Sequence, residues 1–467
     1  MELKLYNTLT RTKQDFTPID NKTAKIYSCG PTVYSSASIG NMRAYIFVDL
    51  LKRTMGLYGY NVLDVMNITD VGHLQSDADD GEDKIEMAAR KAKIDPTEIA
   101  IKYTLEFFEF CDKLNIDRPK VVAPATKYIW NMIEHISSLE KKGYTYVTSD
   151  GVYFDSSKFA DYHCLTKKKK DTKDKAGIRV SLGEKKNAND FCLWRIAKPT
   201  ALQKWESPWG DGVPGWHIEC SAIARHYLGD TFDIHTGGVD HIPIHHTNEI
   251  AQSQSLTGKP PARFWSHNEF IMVDGGKMSK SLGNVYTITD LENKGFNPLA
   301  FRYFVLGAHY RTILNFTFDA LKSAQTSYDN LVKELVKHYQ ADKSQINKDS
   351  ILKKFRESLF DDLNTPKALA VIWDLVKQPP NKEIYYLVIE FDAVLSLGLE
   401  KAVKEYIKKE NKIKEIKIPQ LIINIANKRL ELKQNKDFAG ADKLREEIKT
   451  LGYEVIDTKD GYEIKKI

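Results

Sequence analysis

Four side chains in this sequence of 467 residues have the chemistry of a metal site: Cys29, Cys220, His245 and Glu249. His245 and Glu249 lie four apart in His245-His246-Thr247-Asn248-Glu249, so on a helix they share one face. With two thiolates they complete a possible Cys-Cys-His-Glu zinc set drawn from three distant segments. Spacing alone leaves a blander reading open, since such a pair usually hydrogen-bonds along a helix surface and a lone cysteine usually packs in a core. A second group has the chemistry of phosphate binding. Lys277-Met278-Ser279-Lys280-Ser281, preceded by Asp274-Gly275-Gly276, is a cationic loop that could clamp a triphosphate. Gly40 allows a ligand close to the backbone. In Thr236-Gly237-Gly238-Val239-Asp240 two glycines could admit a nucleoside while Asp240 accepts from ribose hydroxyls.

These residues need a scaffold, and the pattern supplies one. Ile26 to Cys29 reads as a buried strand, Gly30-Pro31 breaks it, and Ala44, Ile46, Phe47, Leu50 and Leu51 recur at helical spacing. Tyr60 to Met66 supplies a second strand. A strand-loop-helix-strand unit turns free N–H groups and a helix N-terminus toward whatever sits above the sheet, which suits a phosphate. That loop, taken alone, is equally an ordinary α/β turn. Further on, residues 77–93 read as acidic and then helical, and Pro96 starts a helix that passes Phe107 and Phe110. Asp117-Arg118-Pro119 reads as a boundary. Lys167 to Lys170, with Lys173 and Lys175, reads as an exposed basic loop without a catalytic role. Thr231 to His235 is a strand, and a helix follows through Gln252. Phe296 to Leu399 is helical by spacing, with Asn364-Thr365-Pro366 introducing one helix. Ile416 to Pro419 is a linker, Leu421 to Leu451 a helical hairpin, and Tyr453 to Lys466 short strands around Asp460-Gly461.

Ser38-Ile39-Gly40-Asn41 and Lys277-Met-Ser-Lys-Ser281 resemble the two signature motifs of class I aminoacyl-tRNA synthetases. Cys29-Gly-Pro-Thr-Val-Tyr34, Trp216-His-Ile-Glu-Cys220 and His245-His-Thr-Asn-Glu249 resemble segments of the cysteinyl-tRNA synthetase family, which has His where this chain has Ser38. The resemblance spans essentially the whole chain. It implies one zinc ion held by Cys29, Cys220, His245 and Glu249, and an amino-acid pocket lined by Thr69, Trp216 and His235. It also implies ATP, with Mg2+, as a substrate. Lys277 and Lys280, assisted by Ser38, Asn41 and the backbone near Gly40, would act on the phosphates, and Gly237, Gly238, Asp240 and Lys280 would bind the nucleotide. The implied activity is ATP-dependent activation of cysteine and its transfer to the 3′ end of a tRNA.

The expected fold class is α/β, with a Rossmann-like nucleotide-binding catalytic domain in two halves (1–117 and 214–296) around an inserted connective subdomain (118–213). A helical bundle contacting the tRNA stem (297–415) and a small mixed α/β unit reading the anticodon (416–467) would follow. Two rivals share the core: a ligase joining cysteine to an amino sugar in the mycothiol pathway, and a non-catalytic RNA-binding relative. The basic terminal unit argues against the first and the intact lysines and zinc set against the second. Composition excludes other classes. At 42% hydrophobic and 28% charged residues, with no apolar run of spanning length, no membrane segment is expected. The N-terminus lacks a secretory pattern, so a cytoplasmic location is expected; a monomer is expected as well, although no residue pattern bears on oligomeric state. Five scattered cysteines disfavour a disulfide framework, and Cys111, Cys164 and Cys192 read as core or incidental. The net charge of +5 sits in residues 401–467, where 17 basic residues face 12 acidic ones. That is compatible with a nucleic-acid contact and equally with a solvated helical face.

Overall fold

A computed structural model of the chain describes residues 1–72, 81–167, 184–279, 282–415, 418–458 and 461–467. The expectations for residues 77–80, Lys168 to Lys170, Lys173, Lys175, Lys280, Ser281, Ile416, Lys417 and Asp460 lie outside the described residues. The chain forms two compact units, Met1–Glu400 and Lys401–Ile467. The division therefore falls inside the helix Leu399–Glu415 and not at 416 as expected.

In the first unit, five strands make a central parallel sheet among the described residues: β1 (Thr23–Ser28), β2 (Asn61–Ile68), β3 (Val121–Pro124), β4 (Phe232–Gly238) and β5 (Ala262–Asn268). Their order is β5-β4-β1-β2-β3. It reverses between β1 and β4, and in doubly wound sheets the crevice above such a switch point is where ligands bind. Four helices frame it: α1 (Ile39–Tyr58), α2 (Ile129–Lys141), α3 (Trp216–Leu228) and α4 (His245–Thr257). Helix α1 starts at a capping box, in which Ser38 and Asn41 exchange side-chain and backbone bonds, and it stops at Gly59, whose φ of 108° is open to glycine. Its apolar face, Ile39, Met42, Ile46, Leu50 and Leu51, is buried.

One expected boundary is corrected. Val121–Pro124 pairs in parallel with Asn61–Ile68, so the catalytic sheet extends past 118. Asp117-Arg118-Pro119 is the turn into that strand, where Asp64 and Asp49 accept from the backbone of Lys120 and Asp117. The insertion proper is a four-stranded antiparallel sheet, Thr145–Val147, Gly151–Phe154, Phe191–Ile196 and Gly212–Pro214. Its Phe154, Phe191, Leu193 and Trp194 share one core with Ile133 and Ile136 of α2 and Ile218 and Ile223 of α3.

After β5, Ile271–Val273 turns back at Asp274 and Gly275 to pair with Gly276–Lys277, and also pairs with Leu314–Phe316. The last strand interrupts a stretch expected to be helical, and three residues are too few to show a period. Helices Pro298–Leu306, Phe318–Gln340, Lys348–Phe360, Thr365–Val376 and Lys382–Leu395 make the bundle. Arg302 of the bundle and Asp49 of α1 meet at 2.6 Å, both fully buried, and Arg302 also donates to the carbonyls of Leu395 and Leu114. Removing one partner from such a buried pair costs about 3–5 kcal/mol, because the other is left as an uncompensated charge. No helix among the described residues is long and apolar enough to cross a membrane.

The second unit packs helices Gln420–Gln434 and Phe438–Thr450 with the hairpin Tyr453–Thr458/Gly461–Lys466 around Ile422, Ala426, Ile448, Tyr453 and Val455. Arg429 holds Asp457 bidentately at 2.8 and 3.0 Å.

Candidate active site and metal centre

At the switch point, the chain leaving β1 delivers Cys29, α3 delivers Cys220, and the first two turns of α4 deliver His245 and Glu249. The ligand atoms of these four all lie within 4.8 Å of one another. The two sulfurs are 4.0 Å apart. Two Zn–S bonds of about 2.3 Å at a tetrahedral angle would set them roughly 3.8 Å apart. Glu249 Oε1 is 3.1 Å from His245 Nε2, and both side chains are buried. Two thiols, an imidazole and a carboxylate brought this close together in a buried site fit a cation. A second set, Cys29, His235, His246 and Glu249, is equally compact. There, however, His235 Nε2 is already hydrogen-bonded to Glu249 Oε2 at 2.7 Å. His246 sits 3.4 Å from Cys29 Sγ through Nε2 and 2.8 Å from His267 Nε2 through Nδ1, and His267 Nδ1 is 2.8 Å from Thr8 Oγ1. His217 Nδ1 backs His245 Nδ1 at 2.9 Å. Cys29, His245 and Glu249 of the first set are thus oriented from behind, by His246, His217 and His235.

Burial and mutual charge set the protonation here. Burial pushes the Cys220 thiol well above its ordinary value, reinforced by Cys29. Burial opposes ionisation of Cys29 too, but the hydrogen bond from Cys220 and the His246 and His245 rings outweigh it and hold that thiol well below its ordinary value. Burial also opposes charge on His245, yet Cys29 and Glu249 push its pKa up to about 10. His217, His246 and His267 are held well below the usual imidazole range, first by burial and then by neighbouring rings. Burial raises the Glu219 carboxyl to about 8 against hydrogen bonds from Asn67 and Thr69.

The signature segments meet beside this cluster. Ser38 is the N-cap of α1: its Oγ accepts from Asn41 N at 3.2 Å and donates to Asn41 Oδ1 at 2.7 Å. A Cβ at Gly40 would lie 3.6 Å from Met278 Cε, so the Lys277-Met278-Ser279 segment rests on the start of α1. Asn284 ties that segment down, accepting from Ser279 N and donating to Lys277 O at 2.8 and 3.1 Å. Lys277 is exposed and Lys280 lies outside the described residues.

A model of the class I (C) tRNA synthetase catalytic domain matches residues 15–326, and a DALR domain model matches 354–382. The cysteine–tRNA ligase 1 of Burkholderia lata is 42% identical over 99% of this chain and 96% of its own length. The cysteine–tRNA ligase of Borrelia hermsii is 41% identical with both chains covered fully. The chain belongs to the cysteinyl-tRNA synthetase family. A solved Mycobacterium tuberculosis methionyl-tRNA synthetase in complex with methionyl-adenylate shares the fold, with a TM-score of 0.58 at 16% identity over 82% of this chain and 93% of that one. Cysteinyl-tRNA synthetases generally depend on zinc, and this chain carries a possible metal-binding group.

The other residues singled out in this synthetase fall in three places. Thr69 and His235 are buried at the cluster, and Trp216 lays its ring 4.4 Å from that of His245. Packing requires glycine at Gly237, where a Cβ would lie 2.6 Å from the buried His246 Cε1, whereas at Gly238 it would meet only the exposed Asp240 side chain, 2.2 Å from Oδ1. Asp240 is exposed above β4. Sequence reasoning assigned no role to His217, His246, His267, Thr8, Asn67, Glu219 or Asn284. His246 and His217 adjoin the quoted metal and pocket residues, which is a usable signal. Thr8 and His267 carry none, because they approach only when the N-terminal strand folds beside β5.

Proposed function

We propose that this synthetase selects cysteine through one zinc ion held by Cys29, Cys220, His245 and Glu249, with Thr69, Trp216 and His235 shaping the pocket. The activity is that of its family, joining cysteine to tRNA through an adenylate at the expense of ATP. The observation that carries the metal reading is the convergence of Cys29, Cys220, His245 and Glu249, whose ligand atoms all lie within 4.8 Å of one another with the two sulfurs 4.0 Å apart. Zinc bound there would offer the substrate sulfur a soft-ligand position that a serine hydroxyl fills poorly. A steric pocket alone separates near-isosteres by only about 10- to 200-fold.

For activation, the chain's own residues do little covalent work. At the N-terminus of α1 the Ile39 and Asn41 N–H groups are already given to Tyr286 O and Ser38 Oγ, so its contribution to phosphate binding is the positive end of the helix dipole and the close approach allowed at Gly40. Lys277 and Lys280 bring positive charge to the triphosphate and its Mg2+, so catalysis is by positioning and charge stabilisation. Gly237, Gly238 and Asp240 take the nucleoside side of the site. The bundle over 297–415 contacts the tRNA stem, the terminal unit reads the anticodon, and the cytoplasm is the place of action. Support comes from the matched DALR domain and from the basic surplus after 400.

The test is cysteine-dependent ATP–pyrophosphate exchange followed by charging of total tRNA. Both should proceed, and Lys280→Ala should abolish exchange nearly completely. Zinc-loaded protein without exchange would contradict the reading and favour a non-catalytic RNA-binding relative.

A further inference from the structure

Beneath Thr69 lies a buried polar knot that the reading above does not use. Glu219, 2% exposed, aims its carboxyl group at Asn67 and Thr69 at the end of β2. Its Oε1 takes Asn67 Nδ2 at 2.8 Å and Thr69 Oγ1 at 2.9 Å, and its Oε2 is 3.0 Å from the same hydroxyl. Asn67 Nδ2 also reaches Thr69 Oγ1 at 3.0 Å. The orientation of the Asn67 amide is fixed from its other end, because Oδ1 accepts from Gly30 N at 2.8 Å. Three elements are joined in this way: the loop after β1, the end of β2 and the first turns of α3.

The loop is also closed onto β2 along its backbone. Thr69 N donates to Pro31 O at 3.1 Å and Val33 N to Thr69 O at 3.2 Å. A Cβ at Gly30 would fall 1.6 Å from Asn67 O, so only glycine lets the two segments touch. Within that contact the backbone bonds fix where Thr69 stands, but not where its hydroxyl points. The Glu219 carboxyl and the Asn67 amide fix that.

We propose that Glu219 is a positioning residue for cysteine, orienting the Thr69 hydroxyl and, through Asn67, holding the Gly30 peptide beside Cys29. This rests on the reading of Thr69 as part of the amino-acid pocket. With its proton given to Glu219 and one lone pair taken by Asn67 Nδ2, the Thr69 hydroxyl keeps one lone pair for a donor such as the α-ammonium of cysteine.

The test compares Glu219→Gln, Thr69→Val and the double variant in the zinc-loaded full chain by pyrophosphate exchange, with metal content and thermal unfolding measured alongside. Glu219→Gln should raise KM for cysteine by about tenfold while KM for ATP and zinc per chain stay at wild-type values. If Glu219 acts through Thr69, Thr69→Val raises KM similarly and the double variant is little worse than either single one, since residues in one network are non-additive. Multiplying effects, an equal rise in both KM values, loss of zinc, or a Glu219→Gln chain that does not fold would each overturn the proposal, because each is what a purely structural carboxyl gives. Failure of the zinc reading would show differently, as wild-type protein that activates cysteine without metal.

Discussion

Replacing Ser38 separates two roles that the structure sets against each other. The family has His at this position, so a direct part in activation would make the Ser38 hydroxyl a transition-state donor. Loss of one such donor typically slows chemistry by about 100- to 1000-fold. Instead, the hydroxyl is engaged in the cap of α1, bonded to Asn41 N and Asn41 Oδ1. Ser→Ala at an N-cap costs about 1 kcal/mol, and Ser→Gly only a few tenths. Since about 1.4 kcal/mol is a factor of ten, fraying of the first turn in Ser38→Ala should lower exchange by roughly fivefold, and Ser38→Gly should stay within about twofold of wild type. Both variants are to be assayed by cysteine-dependent exchange at saturating ATP, with unfolding followed in parallel. A fall of a hundredfold or more in both, with stability unchanged, would refute the capping argument and return the hydroxyl to the chemistry.

Gly237→Ala places a methyl 2.6 Å from His246 Cε1, and that ring is held between Cys29 and His267; we expect weaker zinc retention on chelator challenge and a KM for cysteine raised at least tenfold, with KM for ATP much less affected. Ending the chain before Leu421 should leave exchange nearly intact, while charging falls and loses its salt sensitivity; equal loss of both activities would mean the terminal unit stabilises the core. His135, 2% exposed, is held near pKa 3 by burial and by Arg225. Its folded pKa lies below the unfolded value of about 6.5, so its contribution is complete above that pH and is lost as pH falls toward 3. Urea unfolding of wild type should show a loss of about 2 kcal/mol between pH 7 and pH 5 from this group, and His135→Gln should lack most of that difference.

How legible was the fold? Long periodic elements such as α1 and the Leu421–Leu451 hairpin show their helical spacing plainly, and β1 and β4 are short apolar runs bounded by glycine. Val121–Pro124 was hidden because it is four residues long and follows Asp117-Arg118-Pro119, a turn that looks like a domain boundary. Leu314–Phe316 was hidden because its partner, Ile271–Val273, is equally short. Nor can spacing show that Cys29, Cys220 and His245 converge. That depends on the switch between β1 and β4, and only the family motifs single these residues out. The rings behind them were illegible for a further reason: Thr8 and His267 are 259 positions apart and are joined by one hydrogen bond.

The most direct test is one preparation measured three ways: zinc per chain, exchange with cysteine and exchange with serine, for wild type and for Cys220→Ser. The account predicts about one zinc in wild type, rejection of serine well beyond the roughly 200-fold that shape alone provides, and joint loss of metal and cysteine activation in Cys220→Ser. Wild-type protein that holds no zinc and still rejects serine would contradict it, leaving the choice to a steric pocket around Trp216 and Thr69.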